Sequence, residues 1–139
     1  MQRGHRHRHR LPLLAAALLA TAAGCSERTG GPSHIYLRTR ACVDGFSSMK
    51  IVLQDSTHRK TEISVTDQEV IEEVRKMLQG STDEPRTMQC RNTLLLLCGN
   101  RTFSICYSGN HIKYQGATAR AKGIEERINA YRASRADQN

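Results

Sequence analysis

The sequence contains no tryptophan and only two phenylalanines in 139 residues. A core with so few large rings is modest, and covalent reinforcement is expected to matter. There is no apolar run of about 20 residues, the length a membrane-spanning helix needs. The apolar stretch Leu11–Ala23 falls short of it. Cys-x-x-Cys pairs, a glycine-rich phosphate loop and a Gly-x-Ser-x-Gly elbow are all missing. These absences exclude the common zinc patterns, the P-loop and the usual hydrolase nucleophile turn. There is also no dense basic stripe with interleaved aromatics, so nucleic acid is not an expected partner.

What is present begins with a basic start. Arg3, Arg6, Arg8 and Arg10 occur among the first ten residues, with no acid, and the short Leu/Ala-rich stretch follows. Basic residues, a short apolar run and then small residues form an export signal. The run closes on Ala22-Ala23-Gly24-Cys25, followed by Ser26. This segment resembles the lipobox of bacterial lipoprotein precursors, with Ala22 at the position where leucine is commoner. The resemblance implies a diacylglyceryl group on the Cys25 thiol, cleavage before Cys25, and attachment to a membrane through lipid. By the sorting rule of enteric bacteria, Ser26 after the lipidated cysteine implies the outer membrane of the envelope. An ordinary secretory cut before Ala23, after Ala20-Thr21-Ala22, is the alternative.

Cysteine arithmetic bears on that choice. The chain has Cys25, Cys42, Cys90, Cys98 and Cys106. Lipidation of Cys25 leaves four, an even number suited to two disulfides in an oxidising compartment. Four cysteines allow three pairings. Cys98 and Cys106 flank a tight turn but stand about four residues out of step, on the order of 13 Å, beyond the ~7 Å Cα separation a disulfide permits. Cys90 and Cys98 on one continuous strand lie further apart still. Elimination leaves Cys42–Cys98 with Cys90–Cys106.

The formal charge is +8, from 21 basic and 13 acidic residues. Removing the four signal arginines leaves 17 basic residues against 13 acids, a net charge of +4. That modest excess favours anionic lipid headgroups or an acidic partner.

The domain organisation expected is a removed signal over 1–24, a lipidated cysteine and flexible tether over 25–33, a single domain over 34–134 and a frayed tail over 135–139. The tether, with Gly30-Gly31-Pro32, reaches about 15 Å on average. Within the domain, His34–Thr39 is expected as a first strand. Met49–Gln54 and Thr61–Val65 form a hairpin. A helix follows, with Thr66 and Glu69 at capping-box spacing, Val70, Ile71, Val74, Met77 and Leu78 on one face, and Gly80 at its end. Leu94–Cys98, Thr102–Tyr107 and His111–Gln115 are expected as strands joined by turns at Gly99-Asn100 and Gly109-Asn110, with Tyr107 opposite Ile112. A helix over Thr118–Ala133 closes the chain. The fold class expected is α+β: an antiparallel sheet of about five to six strands with two helices, in the order βββα-βββα.

Side chains able to do chemistry are few. His5, His7 and His9 fall in the signal, and His34, His58 and His111 are expected to be solvated. The loop Asp44–Ser48 holds the one possible nucleophile cluster, though loop serines usually form turns. The function expected is a lipid-anchored, non-enzymatic binding or inhibitor-type module with an envelope protein as its partner and no cofactor or metal. The alternatives are a small envelope hydrolase using His111 or His34 with the Asp44–Ser48 loop, and a metal or small-ligand carrier using surface histidines.

Overall fold

A computed structural model describes residues 31–137. The signal segment, Cys25 and residues 26–30 of the tether lie outside the described residues, as do the last two residues of the tail. Ten elements follow in order: α1 (His34–Val43), β1 (Ser48–Gln54), β2 (Lys60–Val65), α2 (Gln68–Gln79), β3 (Thr82–Asp83), β4 (Asn92–Cys98), β5 (Arg101–Ser108), β6 (His111–Tyr114), β7 (Ala117–Arg120) and α3 (Ile124–Ala136). The class is α+β, with a seven-stranded antiparallel sheet in the order β2-β1-β4-β5-β6-β7-β3 and three helices.

The register explains the core. Ile51 pairs with Ile63 on β2 and Leu94 on β4, Leu94 with Ile105, Tyr107 with Ile112, and Ile112 with Ala119. Alternation puts these residues on one face, where most are fully buried. Ile35, Val43, Ile71, Val74, Leu78, Ile124 and Ile128 from the helices complete the same cluster. Helix α2 touches both α1 and α3. The other face of the sheet presents half-buried Val52, Leu95 and Leu97 beside Lys50, Ser104 and Lys113.

Three elements differ from the expectation, one of them the added edge strand β3, whose Thr82 and Asp83 pair with Arg120 and Ala119. His34–Thr39 is not a strand but the first part of α1. Ser33 caps it, its hydroxyl accepting from the Tyr36 amide at 3.0 Å, and Ile35, Thr39, Cys42 and Val43 form the buried stripe. A six-residue segment alternates well enough to pass for a strand. The helical period shows only when Cys42 and Val43 are included. The closing helix does not begin at Thr118. Gln115 and Gly116, both at positive φ (46° and 81°), make a further two-residue hairpin turn, so Ala117–Arg120 returns as β7 and pairs with β6. Gly123, at φ 84°, is the N-cap of α3. The order is therefore αββαβββββα and not βββα-βββα.

The cap of α2 also shifts by one residue. Asp67, and not Thr66, accepts from the amides of Glu69 and Val70. Helix α3 continues through Arg135, whose guanidinium donates to the Ser64 carbonyl.

Candidate functional site

The four cysteines of the domain fall into two pairs at disulfide distance. Cys42 meets Cys98 with Cα atoms 5.5 Å apart, and Cys90 meets Cys106 at 5.4 Å. The pairs lie on opposite faces of the sheet. Cys98 continues the core-facing row of Leu94 and Leu96, and Cys42 descends to it from the end of α1. Cys106 faces the other way and receives Cys90 from the segment between β3 and β4.

That segment, residues 84–91, is a strap across the outer face. Its start is fastened to β7: Glu84 donates its amide to the Thr118 carbonyl, Arg86 donates its amide to the Thr118 hydroxyl, and that hydroxyl donates to the Glu84 carbonyl. Beneath it lies His111, which is 7% exposed, so the expectation of a solvated histidine is wrong here. Its Nε2 is 3.1 Å from the Glu84 carboxylate, and Arg86 Nη1 is 3.1 Å from its Nδ1. The strap buries His111 because the Cys90 pairing draws residues 84–91 over this part of the sheet. His58 and His34 remain exposed. His34 contacts Asp83, and His58 contacts Gln54.

The Asp44–Ser48 loop is a packing joint between α1 and α2. Phe46 is buried, and the Arg75 guanidinium sits 4.8 Å from its ring centre while donating to the carbonyls of Val43 and Phe46. Gln79 and Tyr36 donate to the Asp44 carboxylate, and Gln68 donates to the Ser47 carbonyl. Helix α1, ten residues long, separates His34 from Asp44 by about 15 Å. His111 lies across the sheet from the helices. The structure therefore does not bring either histidine together with this loop. Among the described residues, no three His, Cys, Asp or Glu side chains form a group able to hold a metal ion.

Hydrogen bonds from Gln79 and Tyr36 hold the Asp44 carboxyl below the usual carboxylate range, and those from Thr57 and the Arg59 amide do the same for Asp55. A carboxyl whose pKa is lower when folded stabilises the fold above its unfolded pKa, and that stability is lost as pH falls through the folded pKa. The urea midpoint is therefore expected to fall below about pH 4. Asp44→Asn with Asp55→Asn should flatten that fall, as measured by urea titration across the acid range.

The most distinctive surface is one end of the sheet, where β4 begins and β5 ends. A cleft of about 420 Å³ there is lined by Arg86, Gln89, Arg91, Asn92, Tyr107 and Glu125, among others. It shares Asn92 with a second cleft lined by Asp55, Arg59 and Arg132. It shares Gln89 and Arg91 with a third that opens beside the β1–β2 turn. Together the three hold four arginines and two acids. Asp55 and Glu125 are already engaged, Asp55 as the acceptor within its turn and Glu125 as the acceptor from the Gly109 amide at 2.7 Å. None of the four arginines pairs with a carboxylate of the described residues.

Tyr107 lies between this end and the core. It is 1% exposed, and its hydroxyl is the only buried side-chain N or O among the described residues without a hydrogen-bond partner. Burial pushes its pKa up to about 12, with Arg132 pulling it down and Glu125 pushing it up. An unsatisfied buried hydroxyl is costly. Tyr107→Phe is therefore expected to raise stability by about 1 kcal/mol in urea unfolding of the protein alone. A loss of stability would show that the hydroxyl is satisfied in solution.

Sequence reasoning missed this end because its arginines are scattered over 59–132 and only the strap and the register gather them. No family model matches the chain, and no curated protein and no solved structure matches it either.

Proposed function

We propose that this protein is a lipid-anchored lipoprotein of the bacterial cell envelope that acts by binding and not by catalysis. One observation carries the reading. The four cysteines of the folded domain take each other up in two pairs, leaving Cys25 as the odd one. Cys25 stands where the lipobox-like segment Ala22-Ala23-Gly24-Cys25 puts the lipid acceptor. An exported chain with two disulfides and one lipidated thiol leaves no reactive cysteine. Several acyl chains, each buried methylene contributing about 0.8 kcal/mol, hold such a protein at the membrane effectively permanently. Ser26 favours the outer membrane.

Binding is favoured over hydrolysis because the candidate nucleophile loop serves as a helix joint and the histidines stand apart from it. The test is a non-reducing intact mass of the membrane-extracted protein, expressed with its own signal. The expected mass begins at Cys25, carries added acyl chains and lacks four hydrogens. Cys25→Ser should abolish the acyl mass and leave the precursor uncut. An unmodified mass beginning at Ala23 would overturn the anchor.

A further inference from the structure

We propose that the arginine-lined end of the sheet is a contact surface for the anionic headgroups of the bilayer to which the chain is tethered, with lipid phosphates received between Arg86 and Arg91 over Tyr107. The inference rests on the lipid-anchor reading and adds to it which end of the domain faces the membrane and what that end recognises.

The first argument is placement. Ser33, where the tether meets the domain, is buried and fixed to Ser81. Its amide donates to the Ser81 carbonyl at 3.0 Å, and the two hydroxyls lie 2.7 Å apart. Ser81 precedes Thr82, which pairs with Arg120. Arg120 pairs with His111, and His111 with Ser108 at the end of β5. The tether therefore joins the domain at the same end of the sheet as the arginine clefts. From β3 to β4 is four strand spacings, about 19 Å. With Cys25 only eight residues before Ser33, at most about 29 Å even fully extended, the tether favours presenting this end to the bilayer over the opposite end.

The second argument is charge. The clefts contribute a net excess of two positive charges, half of the +4 the chain carries beyond its signal. Their acids are occupied, and among the described residues their arginines have no carboxylate partners. Attraction between exposed charges is screened over about 8 Å at physiological salt, so a basic surface matters to a bilayer only if the tether keeps it close. Guanidinium groups suit phosphate because they present several donors in a plane.

The test uses the lipidated protein in bilayers of phosphatidylcholine alone and of phosphatidylcholine mixed with phosphatidylglycerol, read by amide hydrogen exchange. Exchange over 86–92 and 55–59 should slow several-fold in the anionic bilayer only, and the protection should vanish at high salt. Arg86→Gln with Arg91→Gln should remove it while leaving exchange in the core strands unchanged, which controls for folding. Each arginine near an anionic surface strengthens attraction about fivefold, which is enough for the pair to account for the several-fold protection. Equal exchange in the two bilayers overturns the proposal. So does equal protection by inorganic phosphate over the neutral bilayer, which would make the cleft a site for the free ion. If the intact mass shows no lipid, the anchor reading fails separately. The same protein is then sedimented with both vesicle types. Capture by the anionic vesicles alone upholds the surface, and capture by neither overturns it.

Discussion

Replacing Cys42 and Cys98 together by alanine is expected to lower the unfolding free energy by about 4 kcal/mol, and replacing Cys90 and Cys106 by about 3 kcal/mol. The difference follows from the chain each bond closes. The first pair spans 56 residues and the second 16, and constraint of the unfolded chain grows with the logarithm of that length. Either loss is a large share of the 5–15 kcal/mol by which a domain is ordinarily stable. The consequences for structure should also differ. Cys42–Cys98 joins α1 to β4 on the core side, so its loss should loosen the helix layer. Cys90–Cys106 holds the strap, so its loss should speed amide exchange over 84–91 and expose His111 while the core strands stay protected. Urea unfolding of both variants, with exchange on the second, checks each part. Losses below about 1 kcal/mol for both would mean that the thiols are not bonded in the native protein.

The parts of the fold legible in the sequence were those with strong local punctuation. The β1–β2 hairpin, α2, and the two turns at Gly99-Asn100 and Gly109-Asn110 all carry either a long apolar period or a glycine at a tight turn, and Gly99 and Gly109 do adopt positive φ. What failed had a signal of two kinds. At α1, alternation in His34–Thr39 competed with a helical stripe completed only by Cys42 and Val43. At β7, the turn residue Gln115 takes a backbone conformation that glycine normally supplies, and the following Ala117–Arg120 looks helical by composition. The outer-face strap was not legible at all. Nothing in residues 84–91 is apolar or periodic enough to announce burial of His111, and the arrangement depends on long-range contacts through Thr118 and Cys106. The arginine end shares that origin: its members become neighbours only through sheet register.

The run Leu94-Leu95-Leu96-Leu97 gives the sharpest test of that register. Leu94 lies near the centre of the sheet, between Ile51 and Ile105, and is fully buried. Leu95, one residue on, lies between Lys50 and Ser104 on the open face and is half-buried. Leu94→Ala removes atoms from a close-packed site flanked by two fully buried isoleucines and is expected to cost about 3–4 kcal/mol. Leu95→Thr places a strand-favouring polar side chain on a wet face and should cost less than about 1 kcal/mol. Four identical residues in sequence thus predict a several-fold alternation in cost, with Leu96→Ala resembling Leu94→Ala and Leu97→Thr resembling Leu95→Thr. Shifting β4 by one residue would exchange the two faces and reverse the order of the costs. It would also turn Cys98 away from Cys42, so the disulfide supports the same register that the leucines test. Urea unfolding of the four single variants decides the matter. A reversed or flat pattern would reject this placement of β4, and with it the burial of the helices against the Leu94–Leu96 face.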